Sequence, residues 1–473
     1  MRTFEITIIV ILFISILLRA FRLEKANWLN MLPLLNLLAI TYNFMIEGWR
    51  WQMIPLYLMA LTFAGLSIRR IQNPQEYSRL RQTVISLLLL LIFSSLPWAL
   101  PVPSFPTPPG PYPVGTQSFY WVDETRMEVY SPVADQVYAA TPSKPTRVMV
   151  QVWYPAVPDS GDGLAPYLPD GLLDAHALST TFGFPDFFLD HFSLSKTNAL
   201  LNGRLATCFE QWPVLVFSHG WQGMRYQNTA QMEALASQGF IVFAPEHAYG
   251  AVISVYPDGT YTLNKPGALP KDVSDAEYQQ AALILGDSWV GDLRFTLDQM
   301  QLLQDGSIPS IFSGHLDLAK LGMFGHSTGG GATMQTCAID ARCKAAFGMD
   351  PWLVPYNRTL PTQAVPQPAM LMFSEGWESK ANLPLVESFW QASPTGTLRA
   401  TLLGALHNDF TDMPLFSPVA SFFGLKGSIK VEREIPLLND FLYAFFQTHL
   451  LDPASSLLPQ AESSYPEVQV ITR

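Results

Sequence analysis

Gly325-His326-Ser327-Thr328-Gly329, continued by Gly330 and Gly331, sets a hydroxyl at the centre of a Gly-x-Ser-x-Gly pattern. Such a hydroxyl is a weak nucleophile at neutral pH until a base takes its proton during attack, so the pattern needs a histidine and a carboxylate as partners. The chain has eight histidines. His407, in Gly404-Ala405-Leu406-His407-Asn408, follows an apolar segment and lies on the C-terminal side of the serine. Its ordinary pKa of about 6.5 suits a general base. His326 adjoins Ser327 and is expected to face away from a productive geometry, while His219 and His247 precede the serine in the chain. For the acid there are two candidates at segment ends, Asp350 after Met349 and Glu375 after Ser374; Asp409 and Asp412 stand too close to His407 in sequence.

The elements that must position these groups are legible around them. Leu318 to Phe324 is apolar and reads as a buried strand, and Ala332 to Ile339 as a helix. The serine therefore sits in a strand–turn–helix context, where a strained turn needs glycines beside it. The turn leaves the next N–H free at a helix N-terminus. Val214 to Phe217, Phe240 to Ala244, Ala345 to Met349, Ala369 to Phe373 and Thr397 to Leu403 read as further strands, after Thr116 to Asp123 and Arg147 to Tyr154. Asn228 to Gln238 reads as a helix, as does the segment whose apolar face is Val290, Leu293, Leu297 and Met300; a last amphipathic helix covers Pro436 to Leu450. Apolar strands alternating with helices imply a mainly parallel sheet covered on both faces, an α/β fold. Ligands bind such sheets at the carboxyl ends of the strands, which is where all the candidate groups fall. The order Ser, acid, His is that of the α/β-hydrolases, and Ser218-His219-Gly220-Trp221 stands where those folds place an oxyanion-hole amide. The N–H groups of Trp221 and Thr328 are the expected donors, each worth roughly 2.7–4 kcal/mol in comparable sites.

Composition divides the chain. Apolar residues make up 49% of the sequence and charged ones 14%. Residues 1–100 carry nine Lys/Arg and four Asp/Glu, a net +5, whereas the remaining 373 residues carry a net −16. The larger part thus has no basic face for nucleic acid. No Cys-x-x-Cys, His-Glu-x-x-His or Walker-type loop supports metal or nucleotide chemistry, so no cofactor is expected. Four apolar runs, Ile6 to Leu18, Trp28 to Ile46, Met53 to Ile68 and Val84 to Leu100, read as a membrane region of about four transmembrane helices. The second is long enough to span alone. Arg19, Arg22 and Lys25 follow the first run, and Arg69, Arg70, Arg79 and Arg81 precede the last. By the positive-inside rule these loops are cytoplasmic, and Val84 to Leu100 carries everything downstream to the extracytoplasmic side. Residues 101–113 form a Pro-rich linker, extended and semi-rigid. The catalytic domain is expected over residues 114–452, with an insertion at about 156–211 and a loose polar tail at 453–473. The insertion holds the apolar cluster Phe184, Phe187, Phe188, Leu189 and Phe192, read as a helix packed on the core or as the wall of a pocket.

The segment from about Thr116 to Leu450 resembles the platelet-activating-factor acetylhydrolase type of α/β-hydrolase, the plasma and type II enzymes and their bacterial relatives. The resemblance rests on Pro213 through Phe217-Ser218-His219-Gly220, on Gly239-Phe240-Ile241-Val242 leading to Glu246-His247, and on Asp292-Leu293-Arg294-Phe295. The elbow, Asp350-Pro351-Trp352, Gln367-Pro368 with Ser374-Glu375, and His407-Asn408-Asp409-Phe410 complete it. It implies a triad of Ser327, Asp350 and His407, and favours Asp350 over Glu375, the commoner acid position in this fold. It implies oxyanion amides at Trp221 and Thr328 and serine ester hydrolysis, although the mammalian enzymes lack a multi-helix N-terminal membrane region like this one. The apolar insertion and the membrane region point to a lipid or other apolar ester with a short acyl group as substrate. Thr328-Gly329-Gly330-Gly331 also resembles the elbow of cutinase-like polyester hydrolases, which keeps a polyesterase or general carboxylesterase in view. The rival of another class is a silent hydrolase-fold scaffold on a functional membrane domain; a serine peptidase would share the triad. Of three cysteines, Cys337 and Cys343 are candidates for a disulfide on the outer side of the membrane. Cys208 has no evident partner, and Asn357-Arg358-Thr359 matches a glycosylation sequon.

Overall fold

The computed structural model describes residues 1–21, 29–72, 79–358, 360, 364–377 and 379–473. Arg22 and Lys25 of the first basic loop and Thr359 of the sequon lie outside the described residues. All four apolar runs are helical: α1 (Thr3–Ala20), α2 (Leu35–Tyr42), α3 (Ile54–Gln72) and α4 (Arg79–Ala99). Among the described residues three helices are long and apolar enough, by length and composition, to cross a membrane: Thr3–Ala20, Trp51–Arg69 and Arg81–Ala99. The second run, expected to span alone, is the one that falls short. It is a 3-10 turn (Leu29–Leu34, containing Pro33), the eight residues of α2 and a π turn (Asn43–Glu47). Pro33 lacks the N–H that a continuous α-helix would use there.

One end of this bundle is held by buried charge. Arg50 donates to both Glu5 oxygens, at 2.7 and 2.8 Å, and to the carbonyls of Pro97, at 3.1 Å, and Leu100. Arg2 binds the same carboxylate at 2.7 Å. The start of α1, the approach to α3 and the end of α4 are thereby tied together, and the sheet-bearing region rests on that end. The Trp51 indole N–H donates to Phe188 O at 3.0 Å, Gln52 pairs with His191 at 2.8 Å, and Ser417 Oγ donates to Ala99 O at 2.7 Å. The apolar insertion therefore does pack, its 3-10 helix (Asp186–Leu194) facing the bundle as well as the core. The Pro-rich linker is laid along the surface of the sheet-bearing region: Pro103 O accepts from Ser195 Oγ, and the Gly110 N–H reaches Ser237 Oγ.

The principal sheet, of twelve strands among the described residues, follows from the strand segments read above. Its main strands are β1 (Val114–Met127), β2 (Pro145–Val157), β3 (Trp212–Ser218), β4 (Ile241–Pro245), β5 (Leu316–His326), β6 (Ala345–Met349), β7 (Ala369–Ser374), β8 (Leu398–Leu402) and β9 (Val468–Thr472). They lie in the order β9-β8-β7-β6-β5-β3-β4-β2-β1. From β8 to β4 every pairing is parallel, while the β4–β2, β2–β1 and β8–β9 pairings are antiparallel. Two apolar layers fill the two faces, one around Phe217, Phe324, Phe347 and Phe445, the other around Val216, Met323, Met334 and Trp289.

The tail is not loose. Leu457–Ser464 is a helix that buries Leu458 and Ala461, and β9 closes the sheet edge against β8 in the register Ala400↔Val470. Its alternation of Val468 and Val470 with Gln469 is the period of a half-buried strand, which the charged residues upstream obscure.

Candidate active site

Strand β5 delivers its last residue, His326, to the sheet's carboxyl edge, and the chain then turns sharply. Ser327 has φ 56° and ψ −120°, a region that L-residues avoid unless their surroundings enforce it. Two contacts do so. The Ser327 N–H donates to Met349 O at 2.9 Å, fastening the turn to β6. On the other side Gly325 and Gly329 let the backbones interleave: a Cβ on Gly325 would lie 2.5 Å from Gly329 O, and one on Gly329 would lie 2.2 Å from His219 O. The helix Thr328–Ile339 leaves this turn directly. The Trp221 and Thr328 amides make no turn or cap hydrogen bond among the described residues. Gly220 approaches so closely that a Cβ there would lie 3.3 Å from Ser327 Cβ, so the oxyanion loop and the serine are neighbours.

Asp350 follows β6 with φ 43° and is fully buried. Its Oδ1 accepts the Ser374 N–H at 2.7 Å; its Oδ2 accepts the Ser374 hydroxyl at 2.7 Å and faces His407 Nδ1 at 2.9 Å. Glu375, the rival acid, points elsewhere and accepts the Gly404 N–H at 2.7 Å, holding the turn before His407. Asp409 braces the same loop by accepting from Leu406 N at 2.7 Å and Gly427 N at 2.6 Å, and Asp412 caps the helix Thr229–Ser237 through Thr229 and Ala230. Both therefore serve structure, in keeping with their closeness to His407 in sequence.

Burial is the largest influence on both partners of the pair. It pushes Asp350 up to about 7, against the two Ser374 hydrogen bonds, and holds His407 down to about 3. With no cation beside it, the pair sheds its shared proton near neutrality, and the form with ionised Asp350 and neutral His407 is the one able to accept a proton from a hydroxyl.

Two contributors escaped the sequence reading. Trp377 stacks on the His407 ring at 3.8 Å and 12°, and Ser374 supplies two of the donors to Asp350. Both follow from their place at the end of β7; a serine and a tryptophan there carry no periodic signal. His326 does not point idly away from the site. It lies between the serine turn and the base, its ring 4.4 Å from that of His407.

His219 and His247, set aside because they precede the serine, are buried beneath the oxyanion loop. His247 forms a second Ser–His–Asp arrangement, with Nε2 2.9 Å from Ser218 Oγ and Nδ1 3.0 Å from Asp292 Oδ2, stacked on Trp289 at 4.1 Å. All three side chains are sealed from solvent, so no substrate reaches them; the arrangement satisfies polar groups at the end of β3. Cys337 and Cys343 stand at disulfide distance, 1.95 Å, both buried, and Cys208 is exposed. Among the described residues no group of three or more His, Cys, Asp or Glu could hold a metal ion.

The family model of platelet-activating factor acetylhydrolase, isoform II, matches residues 102–266 and 288–455. The chain is 27% identical over 281 residues to a platelet-activating factor acetylhydrolase of Cavia porcellus, covering 54% of this chain and 61% of that protein. It is 28% identical over 317 residues to the one of Canis lupus familiaris, covering 61% and 66%. The matches thus span less than two thirds of these relatives' length. A probable 1-alkyl-2-acetylglycerophosphocholine esterase of Arthroderma benhamiae is 26% identical over 278 residues, covering 54% of this chain and 65% of that protein. Among solved structures, a ferulic acid esterase of Streptomyces cinnamoneus superposes with a TM-score of 0.62 at 24% identity, covering 78% of this chain and 99% of its own, a likeness of fold.

Proposed function

Because the chain belongs to the family of platelet-activating factor acetylhydrolase, isoform II, we propose that it is a serine hydrolase of carboxylic esters, with Ser327 as nucleophile, His407 as base and Asp350 as the acid that orients the base. The observation that carries this reading is the 2.9 Å contact of His407 Nδ1 with the buried Asp350 carboxylate, beside a serine held at positive φ. With Nδ1–H committed to Asp350, His407 presents Nε2 as the acceptor. Ser327 Oγ attacks the ester carbonyl as its proton passes to Nε2, and the carbonyl oxygen takes up negative charge facing the Trp221 and Thr328 amides. The imidazolium then returns the proton to the departing alcohol as the C–O bond breaks, leaving an acyl-Ser327. A water molecule, deprotonated by the same nitrogen, attacks that acyl group and releases the carboxylic acid.

The substrate that fits best is a lipid or other apolar ester with a short acyl group. The relatives named above are platelet-activating factor acetylhydrolases, and the hydrolase rests on a bundle whose surface is apolar. The candidate span of α4 is only 11% buried, so its leucines and isoleucines are left for lipid. The bundle is accordingly read as a multi-pass anchor with the site on the extracytoplasmic side. A fluorophosphonate should label Ser327 stoichiometrically, and Ser327→Ala should abolish both labelling and turnover of a short-chain nitrophenyl ester. Unchanged turnover would sink the assignment, and absence of labelling would favour a catalytically silent scaffold. A panel of esters of rising chain length, given as monomers and as micelles, separates a lipid esterase from a general carboxylesterase or polyesterase.

A further inference from the structure

His326, the residue before the serine, is joined on both sides to the other two parts of the site. Its Nε2 lies 3.0 Å from the His407 carbonyl oxygen, and its Nδ1 lies 3.1 Å from Gln227 Nε2. Gln227 in turn accepts the Gly220 N–H on Oε1 at 3.1 Å. Every direction in this chain is determined by chemistry. A carbonyl only accepts, so His326 must carry its proton on Nε2; its bare Nδ1 must then accept, and the group facing it is the Gln227 amide, whose oxygen is already engaged by Gly220. The result is one unbroken series: Gly220 N–H to Gln227, Gln227 N–H to His326, His326 N–H to His407 O. His326 and Gln227 are both buried. The series also runs through the neutral ring, and burial, with His407 close by, holds His326 down to about 3.

We propose that His326 and Gln227 are positioning residues that set the spacing between the oxyanion amide of Trp221, the nucleophile Ser327 and the base His407. The proposal rests on the serine-hydrolase reading above. Each of the three parts lies just beyond the end of a different strand, so the sheet alone leaves them free to drift by fractions of an ångström. Misplacement on that scale lowers the rate of the chemical step. A link that touches neither substrate nor reacting atoms would act on kcat and leave substrate binding alone.

The direction of the hydrogen bonds supplies a test that space-filling cannot mimic. In Gln227→Glu the side chain keeps its size, but the donor to His326 Nδ1 is lost unless one extra proton is present, on the new carboxyl or on the ring. The charged and titratable groups facing His326 are His407 and Asp350 on the base side and His219 under the oxyanion loop. All three remain in this variant, so its activity relative to wild type isolates the new proton. That relative kcat should fall as pH rises, by about tenfold or more between roughly pH 6 and pH 9, with KM within about threefold. A ratio that does not change with pH, or a loss that lies in KM, overturns the proposal. Should Gln227→Glu fail to fold, as judged by circular dichroism, His326→Gln and His326→Phe decide. A glutamine amide at the Nε2 position can still donate to His407 O, so retention of about tenfold more kcat than in His326→Phe supports the link, and equal rates refute it. Fluorophosphonate labelling of the wild type keeps the two levels apart: no labelling there removes the hydrolase reading itself, whereas normal labelling with pH-independent variants removes only the link.

Discussion

His407 Nδ1 and Asp350 Oδ2 meet at 2.9 Å although 57 positions separate them in the chain. The contact exists because β6 and β8 flank β7 and all three strands end at the same edge of the sheet. It supports Asp350, the acid that the resemblance favours, over Glu375, whose carboxylate accepts the Gly404 N–H instead. Asp350→Asn should lower kcat by about 10⁴, since the amide favours the wrong tautomer of the base. Glu375→Gln, which can still accept from Gly404, should leave kcat near that of wild type. Steady-state kinetics on a short-chain ester checks both, and equal losses would return Glu375 to candidacy.

The pair also predicts a pH profile. Asp350 is raised from its ordinary carboxylate value to about 7, so the proton shared with His407 is still present in mild acid. While it remains, His407 cannot take the serine proton. Activity is therefore half-maximal near 7, complete about a unit above it, and falls about tenfold per unit well below it. In Asp350→Asn, kcat/KM measured from pH 5 to 9 should lose that limb, and persistence of the same limb would assign it to another group.

Trp377 covers the face of His407 at 3.8 Å. Trp377→Ala removes the surface that fixes the imidazole plane and should lower kcat roughly 10- to 100-fold with little change in KM. Trp377→Phe, which keeps a flat face, should recover most of it. A change confined to KM would make Trp377 a substrate contact instead.

The Cys337–Cys343 pair closes a short loop between the helix that leaves Ser327 and the strand that delivers Asp350. Cys343→Ser should cost about 2 kcal/mol by the chain-entropy relation for so small a loop. The measurement is denaturant unfolding with and without reductant; wild type under reductant should fall to the variant's midpoint, and coincident midpoints throughout would show that no bond forms.

Arg50 spans both Glu5 oxygens with its buried guanidinium, while Arg2 meets one through its backbone N–H and the other through its side chain, at the end of the bundle that faces the sheet. Arg50→Ala leaves a buried carboxylate half-paired and should destabilise the bundle by about 3–5 kcal/mol. Thermal unfolding in detergent would report it, and Arg50→Lys should recover only part, because an ammonium cannot grip both oxygens and two carbonyls in one plane.

Strand ends, the serine turn and His407 as candidate base were legible in the chain alone, because they rest on local rules: apolar runs of strand length, glycines where a Cβ will not fit, and chain order. The resemblance singled out Asp350 before any geometry. Local rules also misled. The run from Trp28 to Ile46 counted as apolar enough to span, yet Pro33 divides it, and the closing strand Val468–Thr472 looked like a polar tail. The partner of each buried polar group, by contrast, is set by the fold. Glu375 braces a loop, His247 satisfies Ser218 and Asp292, Trp377 stacks on His407, Ser374 donates to Asp350, and His326 joins the serine turn to the His407 carbonyl. The physical reason is that a hydrogen bond forms between atoms that the fold brings within 3 Å, and the identity of a donor's partner is a property of two loops at once, which no single stretch of chain encodes.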